Sequence, residues 1–309
     1  MASWKSALVR AGHAGEQGAA APAASAATLL HAPARPLGSA GRRVALASCI
    51  LPAVALVFVV IAGLSCQDAA QVADFTAKGL SPSAEHPFGT DMMGRDMLAR
   101  TLAGLSTSVL VGLLAAGASS LIALALGTAA ALGGPKADAA VTWLIDLCMG
   151  IPHIVLLILI SYALGKGFWG VAVGVALTHW PSLTRVIRAE VLQCKGAPYV
   201  AVARKLGVGP LRIALTHVLP YVLPQYLVGL VLLFPHAILH EAAVTFLGFG
   251  LSPEQPAIGI ILSESMSYLT AGMWWLAVFP GLALIAAVLL FELAGSALRR
   301  LSDPHRAQE

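Results

Sequence analysis

Two histidines and a glutamate close a long apolar run in the stretch PHAILHEAAVTFLGFGLSP, residues 235–253. His236 and His240 are four positions apart, so an α-helix brings both imidazoles onto one face, about 40° apart around the axis. Two neutral imidazoles in this arrangement bind borderline-soft ions such as Ni(II), Zn(II) or Cu(II). We therefore predict a transient metal contact at His236 and His240, while Glu241 lies about 100° further round the helix and need not join it.

Two other functions or roles are compatible with the same stretch. The letters HEAAV begin like the zinc-protease motif HExxH, but Val244 stands where the second histidine is required, so the ligand set is incomplete. An intramembrane metalloprotease is therefore a distant alternative. Ordinary packing stays open, because a buried histidine commonly satisfies a neighbouring carbonyl. The same choice between pathway and packing applies to His153, directly after Pro152, and to His179, beside Trp180.

The composition places these residues in a membrane protein. The chain is 58% hydrophobic and 11% charged, against about 25% charged in a typical soluble domain, and its mean hydropathy is +0.82. A helix needs about 20 apolar residues to cross the hydrocarbon layer, and an open sheet edge is not tolerated there. We expect an all-α membrane protein with six transmembrane helices. The apolar runs that predict them are Val44–Leu64, Leu105–Gly134, Ala139–Gly165, Gly167–Thr184, Ile213–His240 and Tyr268–Phe291.

The distribution of basic residues predicts the orientation of the six helices. With the N-terminus inside, 15 of the 19 lysines and arginines fall in inside segments and four in outside segments. Cytoplasmic loops carry such an excess, so both termini are expected in the cytoplasm. The net charge of +4 then reflects topology, and no nucleic-acid partner is expected. Two isolated acids, Asp146 and Glu292, have no partner that the sequence identifies.

Composition also divides the chain into segments. Residues 1–43 are rich in Ala, Gly, Pro and Ser and carry too little bulky apolar surface to fold alone, which predicts a disordered cytoplasmic tail. Residues 44–104 are expected to hold the first transmembrane helix and an external loop. Residues 105–298 are expected to form a core of five transmembrane helices, and residues 299–309 a second cytoplasmic tail.

A short helix is predicted between the fourth and fifth spans. Pro198 suits its first turn, where the missing N–H is not needed, and Gly207 suits a left-handed stop. One face of the helix is small and apolar, with Val200, Ala201 and Ala203, and the end of the helix is basic. Such a helix fits a groove in another protein, and it would equally suit the membrane surface. The residues alone leave both placements open.

The same segment resembles a known motif. The stretch AVARKLGVGPLRIALTHVLP, residues 201–220, is similar in spacing to the EAA loop of ABC importer permeases. Gly207 stands at the glycine of that motif, while Ala201 replaces its usual Glu and His217 its usual Ile. The resemblance implies that this helix couples the permease to an ATPase. The residues concerned are Tyr199, Val200, Ala201, Val202, Ala203, Arg204, Lys205 and Gly207.

Three further stretches resemble one permease family. HPFGTDMMGRDMLART, residues 86–101, resembles the Gly-Thr-Asp-x-x-Gly-Arg-Asp stretch that precedes the second span of peptide and nickel permeases. TFLGFGLSP, with WWLAVFPGLAL after it, resembles the final third of the same family, and LRRLSDPH resembles its tail. The resemblance covers roughly residues 44–305 and identifies the chain with the dipeptide, oligopeptide and nickel importer permeases of the second permease type.

This resemblance implies a pore-forming subunit in a bacterial inner membrane that performs no chemistry itself. The implied partners are a second permease subunit, two ATPase subunits, an extracellular binding protein and membrane lipid. The sequence contains no GxxxxGKS or GxxxxGKT loop to cradle phosphates. ATP and Mg²⁺ are therefore expected on the ATPase subunits, and no cofactor is expected on this chain.

The resemblance also bears on the cargo. The nickel branch is similar to this chain in its paired histidines before Phe-Leu-Gly-x-Gly and at ALTHW, residues 176–180, whereas the peptide branch has the Glu-Ala pair without the histidines. This implies a structural or gating role for Glu241 and a branch-specific role for the histidines. Nickel, free or chelated, is the expected cargo, with a di- or oligopeptide as the alternative. The expected substrate pathway comprises His153, His179, His236, His240 and Glu241.

Overall fold

The computed structural model describes residues 39–302, which form helices and turns with no β-strand in that range. The helices are Ser39–Ser65 (α1), Met97–Leu132 (α2), Gly134–Gly150 (α3), His153–Ala163 (α4), Gly167–Lys195 (α5), Pro198–Lys205 (α6), Pro210–Ile213 (α7), Leu219–Phe246 (α8), Ile258–Met266 (α9) and Trp275–Ser302 (α10). A five-residue π-helical turn, Ala214–Val218, joins α7 to α8. Most of the two predicted tails, residues 1–38 and 303–309, lies outside the described residues.

Four helical segments are long and apolar enough to cross a membrane: Arg43–Ser65 within α1, α2, the continuous run Pro210–Phe246, and α10. A fifth span is added if α3 and α4, which meet at an angle of 94°, cross as one unit. The expected all-α membrane fold is therefore confirmed, whereas the count of six transmembrane helices is not.

The predicted fourth span, residues 167–184, is the apolar part of α5. Within α5, Val171, Val175 and Ile187 are fully buried against neighbouring helices. A helix enclosed by protein can carry polar groups, such as His179 and Thr184, that a lipid-facing helix excludes. This enclosure explains why α5 is less apolar than the other long helices and does not qualify as a span on composition.

The third predicted span, residues 139–165, is broken rather than straight. Pro152 has no N–H to donate, and it disfavours the α conformation at the residue before it. Ile151 accordingly has an extended backbone, with φ −97° and ψ 136°, and a new helix starts at His153. The break places His153 at the first turn of α4, facing the interior of the bundle.

Helix α2 holds α5 and α8 in place by close backbone packing. Its buried residues are mostly Ala, Gly and Ser, and small residues let helices approach closely in membranes. A methyl group added at Gly127 would lie 2.9 Å from the side chain of Ile187 in α5, and one at Gly112 would meet Ile238 in α8. This packing sets the separation of α5 and α8, which carry His179 and His240.

The loop of residues 66–96 is organised by the carboxylate of Asp91. It accepts hydrogen bonds from the backbone N–H groups of Met93 (2.8 Å) and Arg95 (2.9 Å), from Nε of Arg95 (2.6 Å) and from Nη1 of Arg100 (2.7 Å). Arg100, which is 4% exposed, also donates through Nη2 to Glu264 on α9 at 2.9 Å. The GTDMMGRD stretch therefore ties the start of α2 to α9.

Candidate functional site

A cavity of about 660 Å³ opens where the break between α3 and α4 faces α5 and α8. Its wall combines apolar, thiol, hydroxyl and imidazole groups. The residues that line it include Cys148, Met149, Gly150, Ile151, His153, Thr178, His179, Ser182, Leu233, His236 and His240. Four of the five predicted pathway residues therefore meet at one cavity, although they come from three helices.

Three of these histidines form a compact group, which we call the histidine cluster: His153, His179 and His240. The ring centroids are 4.5 Å apart for His153 and His179, 4.5 Å for His153 and His240, and 4.9 Å for His179 and His240. One ring nitrogen of each residue lies within 4.8 Å of the corresponding nitrogens of the other two. The cluster therefore has the composition of a three-imidazole metal site.

Backbone carbonyls orient two of the three rings. Nδ1 of His179 lies 2.9 Å from the carbonyl oxygen of Val175, and Nδ1 of His240 lies 2.7 Å from that of His236. A carbonyl oxygen only accepts, so each Nδ1 carries the proton and each Nε2 keeps its lone pair. Nε2 of His179 faces His240, with its Nδ1 at 3.4 Å. Nε2 of His153 is buried and has no hydrogen-bond partner among the described residues.

The rings of His236 and His240, the pair predicted from helical spacing, do not belong to the same cluster in the structure. His236 lines the cavity, but its ring is not part of the histidine cluster. Its backbone carbonyl instead accepts the bond from His240. Spacing within one helix identifies residues on one face, but it does not show which side chains of other helices meet that face. A metal contact at His236 remains a prediction, whereas His240 lies among the three clustered rings.

Glu241 points away from the cavity, as its position on the helix predicts. Its side chain is fully buried, and Oε1 accepts a hydrogen bond from the hydroxyl of Thr245 at 2.9 Å. Oε2 has no hydrogen-bond partner among the described residues. An unpaired buried charge is costly in a membrane interior, which favours a neutral carboxyl group with a packing role beside α2. Glu241 is therefore separate from the histidine cluster.

Asp146, for which the sequence identifies no partner, forms an ion pair in the structure. Oδ1 of Asp146 on α3 accepts a hydrogen bond from Nη2 of Arg185 on α5 at 3.1 Å. Asp138 on α3 likewise receives two hydrogen bonds from Arg188 on α5. Asp146 precedes the cavity-lining residues of α3 by two to four positions and Asp138 by ten to twelve, and the two ion pairs hold α3 beside α5. Glu292 is exposed on α10.

The short helix α6 is present, and its small apolar face is divided between buried and exposed residues. Val200 and Ala203 are buried, whereas Tyr199, Val202 and Leu206 are exposed large apolar residues. Val200 and Ala203 face the junction of α5 and α7, the two helices that flank α6 in the chain. A hydrogen-bonding contact with the thiol of Cys194 raises the pKa of Tyr199 to about 12. Gly207 adopts φ 80° directly after the helix, as a left-handed stop requires.

Comparison with known proteins identifies the family. The model of the binding-protein-dependent transport system inner membrane component family matches residues 109–308. A putative peptide permease protein of Brucella suis biovar 1 is 36% identical over 232 residues, which cover 75% of this chain and 77% of that protein. The dipeptide transport system permease protein DppC of Bacillus subtilis is 31% identical over 229 residues, covering 74% and 72%.

A solved structure shares the fold. The inward-facing MetNI methionine ABC transporter matches with a TM-score of 0.54 over 67% of this chain and 98% of the compared chain, at 19% sequence identity. At that identity the match establishes the fold alone. Together with the family match and the two permease relatives, it leads to one conclusion. The chain belongs to the family of binding-protein-dependent transport system inner membrane components, and it is a multi-pass permease subunit of an ABC importer rather than an enzyme.

Proposed function

We propose that this permease imports a di- or oligopeptide and that the cavity beside the histidine cluster lies on the transport route. The observation that carries the proposal is the cavity itself. Its volume of about 660 Å³ falls in the range of roughly 300–1,000 Å³ that is typical of sites for small organic molecules. Relatives named as peptide and dipeptide permeases support the same cargo.

The wall of the cavity suits a peptide. Apolar groups such as Ile151 and Leu233 offer surface for side chains, while Thr178 and Ser182 offer hydroxyls for backbone amides and carbonyls. Sites for small molecules commonly combine an apolar lining with a few polar groups. A dipeptide zwitterion has no net charge, and each of its charged termini requires water or a polar partner in the cavity.

Helix α6 is the proposed contact with an ATPase subunit. Tyr199, Val202 and Leu206 give it an exposed apolar face, and an apolar helix face of this kind binds in a groove of a partner protein. Because α6 joins α5 to the run that contains α8, a displacement of α6 is transmitted to the helices that carry His179 and His240. ATP and Mg²⁺ belong to the ATPase subunits in this proposal.

The other partners follow from the predicted orientation. The basic residues Arg204 and Lys205 support a cytoplasmic position for α6. The loop of residues 66–96 then lies outside, where a binding protein delivers the peptide. A second permease subunit completes the pore beside this chain, and lipid covers the exposed apolar side chains of α1, such as Leu51 and Phe58.

A second candidate cargo is nickel, free or chelated. The specific observation that favours it is the histidine cluster, because recognition of a peptide does not require three imidazoles in contact. Imidazole nitrogen is a good ligand for Ni(II). The names of the relatives give no support to nickel, so the peptide is the first candidate.

Uptake by the complete transporter tests the choice of cargo. Cells that express all its subunits, including the binding protein, would be given a radiolabelled dipeptide or radiolabelled nickel. We expect dipeptide uptake that requires both ATP hydrolysis and the binding protein. A transporter lacking a functional ATPase serves as the control. Uptake of nickel without any uptake of dipeptides would reject the peptide proposal in favour of the second candidate.

A further inference from the structure

We infer that His153, His179 and His240 together bind a divalent late first-row transition-metal ion inside the permease. The inference rests on the proposed function only in taking the adjoining cavity as part of the solute route. The three residues come from α4, α5 and α8, and one ring nitrogen of each lies within 4.8 Å of the others. Three imidazoles from separate helices converge at one point on the cavity wall.

The spacing of two ring nitrogens matches that of two ligands on one ion. Zinc–imidazole bonds of about 2.0–2.1 Å in a tetrahedron separate neighbouring ligand nitrogens by about 3.3 Å. Nε2 of His179 and Nδ1 of His240 are 3.4 Å apart. All separations in the cluster are within 4.8 Å, which is about 1.5 Å above the tetrahedral edge. Binding therefore requires the ring nitrogens to move closer together than they are in the structure.

Packing alone does not account for the third ring. Burial of a polar nitrogen without a hydrogen bond is unfavourable, and such atoms in native proteins call for a specific explanation. Nε2 of His153 is buried without a hydrogen-bond partner among the described residues, yet it lies beside two other imidazoles. A metal ion between the three rings would give this lone pair a partner.

The neighbouring backbone orients the other two ligands. Donation from Nδ1 of His179 to the carbonyl of Val175 leaves Nε2 free to bind a metal. His240 is held by its Nδ1 bond to the carbonyl of His236. If His240 binds through Nδ1, the proton moves to Nε2 and this helix bond is exchanged for the metal bond. The site is therefore preformed at His179 and adjustable at His240.

The ligand set selects the class of ion. Three neutral imidazoles suit Ni(II), Cu(II) or Zn(II), whereas Mg²⁺ and Ca²⁺ prefer oxygen ligands. Glu241, which follows His240 in the sequence, is hydrogen-bonded to Thr245 and is not part of the cluster. Three protein ligands also leave a fourth position for water or for a donor atom of the cargo, and all three histidines line the cavity.

Metal binding by the purified, assembled transporter tests the inference directly. The complex would carry an affinity tag without histidine, and Co(II) and Ni(II) would be titrated by calorimetry and by the visible absorption of Co(II). We expect one ion per copy of this chain, with imidazole-type Co(II) bands. Replacement His153→Gln, His179→Gln or His240→Gln should each weaken binding by about 100-fold, at the upper end of the effect of removing groups that support a metal ligand.

A matched control distinguishes the cluster from other histidines. His86→Gln changes a histidine of the 66–96 loop, where a glutamine can still donate to Asp96, so it should leave the affinity unchanged. Unaltered binding after replacement of all three cluster histidines, or no stoichiometric binding by the parent, would overturn the inference. If a variant does not assemble, the Co(II) spectrum of the parent still decides whether imidazoles bind the ion.

The same preparations separate this inference from the proposed function. Dipeptide uptake by a parent transporter that binds no metal would leave the peptide proposal standing and reject the metal site. Metal binding that is lost with the cluster histidines, in a transporter that imports no peptide, would support the site and reject the proposed cargo.

Discussion

Nε2 of His179 lies 3.4 Å from Nδ1 of His240, although the two residues are 61 positions apart in the chain. The contact exists because α5 and α8 both pack closely against the small residues of α2. Through this contact the ring of His240 groups with His153 of α4 and His179 of α5. It does not group with the ring of His236, its neighbour on the same helix face. The candidate site is thus a product of helix packing.

Nickel ions should inhibit dipeptide uptake, because an ion held by the histidine cluster sits on the wall of the cavity. In a His179→Gln variant the half-inhibitory nickel concentration should rise by about tenfold or more, since a metal ligand is lost. His236→Gln should raise it much less. Dose–response curves for nickel in the uptake assay measure both effects. Identical curves for the parent and His179→Gln would contradict the prediction, and a larger effect at His236 would favour the pair predicted from spacing.

Replacement of Gly207 should uncouple ATP hydrolysis from transport. Gly207 has φ 80°, and no atom lies within 4 Å of the position of an added Cβ, so the cost of a side chain there is backbone strain. That strain is about 1–2 kcal/mol for an ordinary residue and less for Asn. Gly207→Val should therefore shift α6 and lower solute-stimulated ATPase activity, whereas Gly207→Asn should retain most of it.

Membrane levels of both Gly207 variants should match the parent, because no packed contact is removed. ATPase activity of the purified complex, with and without loaded binding protein, provides the measurement. A Gly207→Val variant that is stimulated like the parent would show that the stop of α6 is not required for coupling.

The Asp91 network should contribute strongly to stability. Asp91→Ala leaves the buried guanidinium of Arg100 without its nearest partner, and loss of one member of a buried ion pair costs about 3–5 kcal/mol. Glu264 is 38% exposed, so Glu264→Gln should cost about 1 kcal/mol or less. Apparent melting temperatures in detergent, measured for both variants, test the difference. Equal shifts would mean that Asp91 does not organise this loop.

The orientation of the chain predicts which residues an impermeant reagent can reach. Met93 is 44% exposed in the 66–96 loop, and Val202 is exposed on α6. The four native cysteines, all free among the described residues, would first be replaced. Met93→Cys should then react with a membrane-impermeant thiol reagent in intact cells, and Val202→Cys only after the membrane is opened. The reverse pattern would invert the topology.

Much of the fold follows from the sequence because lipid imposes a simple rule. Long uncharged runs predict α1, α2, α8 and α10, since a helix satisfies its own backbone in hydrocarbon. Two predicted spans are not confirmed, and each for a local reason. Pro152 breaks the third predicted span, and α5 is enclosed by protein, so its composition does not resemble that of a lipid-facing helix.

The candidate site was only partly predictable. His153, His179 and His240 stand out as ionisable residues in apolar surroundings, which is a signal of function in membranes. Their grouping depends on the bend at Pro152 and on the approach of α5 to α8. Neither of these features can be deduced from the spacing of residues along one helix. The sequence likewise does not show what covers the small apolar face of α6, of which Val200 and Ala203 are buried within the chain itself.

Filling the cavity tests the central claim most directly. Gly150 lines the cavity and has no atom within 4 Å of an added Cβ, so the residue can be replaced by tryptophan, Gly150→Trp, without a clash at Cβ and with a bulky side chain at the cavity wall. Gly117 on α2 has equally open surroundings but is not part of the cavity wall, and Gly117→Trp is the matched control. Dipeptide uptake by the complete transporter should fall by about tenfold or more in Gly150→Trp, which corresponds to roughly 1.4 kcal/mol, with basal ATPase activity retained. Uptake by Gly117→Trp should remain close to that of the parent, and a Gly150→Trp transporter that imports the dipeptide at the parent rate would contradict the placement of the transport route.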